Sequence, residues 1–85
     1  MQQFMRKFTQ LNGVMAKVIL EHCLFDGQTF YCDGLKTIND DEKVGVVLKD
    51  RDIFLYKRNV KLYKQEMNTY IISDGRLKIK IVAKV

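Results

Sequence analysis

The last ten residues alternate with a period of two. Leu77, Ile79, Ile81, Ala83 and Val85 fall on one side, and Arg76, Lys78, Lys80 and Lys84 on the other. Successive side chains of a strand point to opposite faces, so this pattern predicts a strand with one buried face. Such a strand folds only against other strands, and the chain from residue 14 onward supplies them. KVGVVL predicts a half-buried strand with Val44, Val46 and Leu48 inward. IFLY, VKLYK and TYII follow it, separated by the polar turn KDRD, a bend at Arg58-Asn59 and the connection QEMN. Upstream, CLFDGQTFYC predicts a hairpin with Asp26-Gly27 at its tip, because such a turn needs residues that accept positive φ. Phe25, Phe30, Cys23 and Cys32 then share one face. Asp33-Gly34 breaks the strand, LKTI continues it, and NDDE makes a turn. Ser73-Asp74-Gly75-Arg76 predicts the last hairpin turn.

The N-terminal segment has a different period. Phe4, Phe8, Leu11 and Met15 follow the 3.6-residue repeat, with Gln2, Gln3, Arg6, Lys7 and Gln10 on the opposite face. This predicts a helix over about 2–12, stopped at Asn12-Gly13. Val14, Ala16, Val18 and Leu20 then alternate with Met15, Lys17, Ile19 and Glu21. That pattern suits a strand, although a helix running to about 19 also fits. With 85 residues the chain is one domain, 1–85, with a β meander over about 14–85. The expected fold is mainly β with an N-terminal α-helix, a small bent antiparallel barrel of five to six strands. Closure removes exposed edges from strands this short.

Hydrophobic residues make up 47% and charged residues 29%, a globular composition. No apolar run approaches the roughly 18 residues of a membrane span, and no secretory signal is visible. The expected location is cytoplasmic, where Cys23 and Cys32 are reduced thiols and not a disulfide scaffold. The net charge of +5 is unevenly spread. Residues 1–20 carry Arg6, Lys7 and Lys17 and no acid. Residues 21–50 are acidic on balance, and 51–85 carry nine bases against three acids. Basic ends favour polyanions such as nucleic acid or anionic lipid, and equally suit a solvated surface.

Catalytic patterns are missing. There is one His and one Ser, and no paired acid and base in a recognisable frame. His22 with Cys23 and Cys32 has the residue types of a zinc site without its spacing. Asp40, Asp41 and Glu42 read as a solvated turn. No glycine-rich loop matches a phosphate cradle. The chain is therefore expected to be non-enzymatic and to carry no cofactor and no metal.

Taken in order, the helix, LFDGQTF, GLKTIND, VGVVLKD and the segment Tyr56-Lys57-Arg58-Asn59-Val60 resemble the Sm-like family, most closely its bacterial Hfq branch. The resemblance covers about residues 4–64. A second alignment places the family's later motif at Ile72-Ser73-Asp74-Gly75, and both alignments stay open. Arg58 stands where the Hfq branch has a histidine.

The resemblance implies an N-terminal helix on a bent Sm-like/SH3-like barrel that assembles as a homo-oligomeric ring. IFLY of one copy would pair with VKLYK of the next. It also implies single-stranded RNA as the partner, held by Lys43, Lys57 and Arg58, with Gln3 on the helix. Arg6 and Lys7 would add a second basic surface. Tyr56, Tyr63 and Tyr70 are candidates for base stacking or for the core. The Arg76, Lys78, Lys80 and Lys84 stripe is either a nucleic-acid track or protection of a strand edge. The rival expectation is a small-barrel protein–protein interaction module with no nucleic-acid role.

Overall fold

A computed structural model describes residues 1–22 and 25–84, with the side chains of Phe25 and Asp26 outside the description. The chain forms helix α1 (Gln2–Thr9), then strands β1 (Ala16–His22), β2 (Phe25–Cys32), β3 (Lys36–Asn39), β4 (Lys43–Val47) and β5 (Asp52–Tyr56). A short 3₁₀ turn, η1 (Lys57–Asn59), leads to β6 (Leu62–Glu66), β7 (Thr69–Ser73) and β8 (Leu77–Ala83). All strand pairings are antiparallel.

The eight described strands form two sheets, one of five strands in the order β2-β1-β8-β7-β6 and one of three in the order β3-β4-β5. Ladder pairing closes neither sheet into a barrel. The meander turns from one sheet into the other at Asp33-Gly34. There the Leu35 N–H donates to the Val14 carbonyl at 2.8 Å, and the Gly13 N–H donates to the Leu35 carbonyl. The strand count exceeds the expected five to six because this corner splits one expected strand into β2 and β3, and because β6, β7 and β8 form a complete meander of their own.

The core lies between the sheets, with α1 covering one end. Val18, Leu20, Ile72, Ile79 and Ile81 come from the five-stranded sheet, and Val44, Val46 and Leu55 from the other. Phe8, fully enclosed, anchors the helix with Phe4 and Met5. Of the predicted inward residues, Val44, Val46, Leu48, Ile79, Ile81 and Ala83 are buried, while Leu77 is half-buried. Met15 is 47% exposed, and Met5 takes its place in the helix stripe. The helical period ends before Met15, and β1 alternation then points Met15 outward while Ala16 turns in. The segment after Gly13 is thus a strand and not a continued helix. The helix is also shorter than 2–12. Residues 10–12 make N–H to carbonyl bonds three residues back, and the Asn12 side chain accepts the Thr37 N–H at 3.1 Å. The last turn is therefore drawn towards β3.

Asp26-Gly27 is not a hairpin tip. Leu20 faces Gln28 and His22 faces Phe25, so Asp26 and Gly27 both lie opposite Glu21 inside β2 as a bulge. A Cβ at Gly27 would sit 3.3 Å from the Leu20 carbonyl oxygen, which is why a residue without one fits there. The apolar alternation of β1 is paired along its whole length, and this draws the dipeptide into the ladder. Cys23 and Leu24, which the expected hairpin also used, lie outside the described residues, as does Val85.

The turn at 73–76 forms as predicted. Gly75 has φ +92°, the left-handed region that glycine tolerates best. The Asp74 carboxylate accepts the Arg76 and Leu77 N–H groups at 2.8 and 2.9 Å. Burial pushes this carboxyl up, but the donated N–H groups outweigh it and hold it below its ordinary value. A lowered native pKa stabilises the fold above the unfolded value of about 3.9. That stability is lost as pH falls through the native value. Asp74→Asn keeps an acceptor for both N–H groups, so it is expected to cost only about 0.5 kcal/mol at neutral pH and to flatten the acid limb of stability below about pH 4. Urea unfolding across pH measures both.

Candidate nucleic-acid interface

Three shallow basic grooves surround α1 and η1. The first is built by the helix N-terminus and the chain leaving β5. The fourth residue after Gln2 is Arg6, so both lie on one helix face. Arg6 and Lys57 line a groove of about 560 Å³ with Met1, Gln2, Met5 and Asn39. η1 is seated here by the Lys57 N–H, which donates to the Glu42 carbonyl at 2.7 Å. Asn39 is fixed by its Nδ2, which donates to Thr9 Oγ1 at 2.9 Å, leaving its carboxamide oxygen as an acceptor. The loop below is organised by Asp40, whose carboxylate accepts the Glu42 and Lys43 N–H groups at 2.8 and 2.7 Å. Those N–H groups hold its carboxyl below the ordinary range, and the charges of Lys43 and Lys57 lower it further.

Gln3 and Lys7 lie on the adjoining face of α1, in a groove with Phe4, Tyr63 and Lys64. Lys7 Nζ donates to Gln65 Oε1 at 3.5 Å. Met1 borders both grooves, so the two surfaces meet at the start of the helix.

Lys43 and Arg58 are placed differently. Lys43 Nζ lies 4.7 Å from the centre of the Phe54 ring, and the Arg58 guanidinium lies 4.8 Å from that of Tyr56. Both are cation–π contacts. Arg58 lines a third groove with Asn59, Lys61, Asp74 and Arg76. The predicted six therefore divide. Arg6 joins Lys57, Gln3 joins Lys7, and Lys43 and Arg58 each lie against an aromatic ring. Lys64 was not singled out in the sequence. It sits in a strand pattern, and only the packing of α1 on β6 brings it beside Lys7.

The tyrosines also divide. Tyr70 packs against the core with its ring 6.0 Å from Phe4. Tyr63 lies 5.5 Å from Phe4 but is 44% exposed. Of the C-terminal bases, Lys78 and Lys80 share one face of β8, while Arg76 belongs to the turn before it.

Among the described residues no group of three His, Cys, Asp or Glu side chains could hold a metal ion. Burial and the neighbouring Asp33 charge push the Cys32 thiol up, which favours its protonated form at neutral pH. No helix among the described residues is long and apolar enough to cross a membrane. Among the described residues each sheet has two strands with only one ladder partner. These are β2 and β6 in the first sheet, and β3 and β5 in the second. Leu62 and Tyr63, both on β6, are among the exposed large hydrophobic residues. Comparison of the chain with protein-family models, with curated proteins and with solved structures finds no match.

Proposed function

We propose that this protein binds single-stranded RNA at the basic surface around α1 and η1, as a cytoplasmic, non-enzymatic protein. The observation that carries this reading is the meeting of Arg6 and Lys57 across one open groove from elements far apart in the sequence. Two cations facing one space attract a phosphate more strongly than either alone. Beside them, the Asn39 carboxamide oxygen offers an acceptor for a base edge. Lys7 and Lys64 continue the positive surface past Met1.

The Sm-like resemblance adds assembly to this reading. In the ring that the resemblance implies, β5 of one copy pairs with β6 of the next. Both strands lack a second ladder partner, and β6 exposes Leu62 and Tyr63. Strand addition would satisfy those backbone groups and cover that apolar surface. Repeating a modest site around a closed ring raises affinity through effective concentration.

Two measurements test the proposal. Light scattering should give a mass roughly six- or seven-fold that of the chain. A labelled U-rich or A-rich oligonucleotide should bind with log K falling by about 0.7 for each phosphate contacted per unit of log salt. A monomer that ignores RNA defeats the proposal and favours the rival interaction module.

A further inference from the structure

We infer that the outer face of the five-stranded sheet, turned away from α1, is a second and separate surface for single-stranded nucleic acid. Its working residues are Tyr31, Lys17 and Lys80. Register places Tyr31 opposite Lys17, and Lys17 opposite Val82. One step along, Ile19 lies opposite Lys80, and Lys80 opposite Ile71. Lys17 and Lys80 are thus diagonal neighbours across β1 and β8. Tyr31 is 79% exposed beside them.

Three observations point to a ligand and not to a merely solvated face. First, β1 and β8 are interior strands of the sheet, so their lysines guard no open edge. Second, the neighbouring bases are already paired: Lys78 with Glu21 at 3.7 Å, and Lys64 with Glu66 at 3.4 Å. Lys17 and Lys80 have no carboxylate partner among the described residues. Third, the face is partly apolar, with Ile19, Ile71 and Val82 half-buried beside the lysines. A shallow depression of about 280 Å³ beside Lys80 continues it towards Ile71 and Lys64.

An exposed aromatic ring next to two cations that lack a carboxylate partner among the described residues suits a strand of alternating bases and phosphates. Tyr31 offers a stacking surface for one base, and Lys17 and Lys80 reach successive phosphates. A lipid surface would call for clustered protruding aliphatic groups, whereas Ile19, Ile71 and Val82 are half-buried and the exposed Met15 and Leu62 lie at opposite ends of the sheet. This surface is independent of the groove between α1 and η1, so each can fail alone.

The test uses the full chain carrying Arg6→Ala and Lys57→Ala, so that the first groove is silent, and a labelled single-stranded oligonucleotide. Lys17→Gln with Lys80→Gln should weaken binding about ten-fold and reduce the salt slope by about 1.4, or 0.7 per phosphate. Tyr31→Ala should weaken it by a similar factor, while Tyr31→Phe keeps the ring and the affinity. Unchanged thermal unfolding of these variants separates lost contacts from lost fold. In the Arg6→Ala, Lys57→Ala variant, residual binding should still cross-link at Tyr31. An unchanged affinity and slope in the Lys17, Lys80 variant overturns the inference. So does equal weakening by Tyr31→Phe and Tyr31→Ala. Binding to phosphatidylglycerol vesicles or to an acidic peptide, with none to the oligonucleotide, also overturns it.

Discussion

Gly45→Ala is expected to cost about 3 kcal/mol or more, a large share of the stability a chain of this length can hold. Gly45 sits in the centre of β4, between Ile38 of β3 and Phe54 of β5. A Cβ there would overlap the Ile53 carbonyl oxygen and lie 2.5 Å from Phe54 Cα. These are backbone atoms of the facing strand, so no rotamer change relieves the overlap. The strands must separate, and that breaks the ladder carrying Val44, Val46 and Leu55 into the core. Urea unfolding monitored by circular dichroism gives the size of the effect. Gly34→Ala is the control. Its nearest neighbour would be 4.0 Å away, and the change should stay within about 0.5 kcal/mol. Equal midpoints for the two variants would contradict the close approach at Gly45.

Arg6→Ala with Lys57→Ala should weaken RNA binding roughly thirty-fold at low salt, because two charge-assisted contacts are lost together. The loss should shrink as salt rises, since screening already weakens both contacts in the parent. Arg58→Ala should do less, because its guanidinium already lies against Tyr56. Fluorescence anisotropy with one oligonucleotide across a salt series compares all three proteins. An Arg58→Ala effect exceeding that of the double variant would move the site from the first groove to the third.

Much of the fold was legible because the local patterns were strong. Alternation in Leu77–Ala83 and in Val44–Leu48 marked the buried faces directly, and the Phe4, Phe8 and Leu11 stripe marked the helix. The misreadings arose where two local rules competed. Asp26-Gly27 carries turn chemistry, yet pairing of β1 along its full length made it a bulge. Met15 fits the helical period, yet the helix ends at Thr9, well before it. The division into two sheets was not legible, since Asp33-Gly34 gives the same signal for a bend within one sheet as for a crossing to another.

The site was legible only in its parts. Arg6 and Lys57 were each visible as bases, but their meeting depends on where η1 delivers the chain. Lys17 was hidden for a different reason. It stands in a strand pattern whose only distinction is having Tyr31 as its cross-strand neighbour, and that needs the register.

The pairing of β1 with β8 sets a timetable for folding. Ala16 meets Ala83 and His22 meets Leu77, so the central ladder of the larger sheet joins segments separated by most of the chain. Loop closure over that distance precedes any return from the contacts it allows, which slows the search for the native state. Before β8 docks, β1 and β2 amount to an isolated two-stranded ribbon, marginal in water and with one flank open to strangers. The period of greatest exposure to aggregation is therefore the interval between synthesis of these two partners.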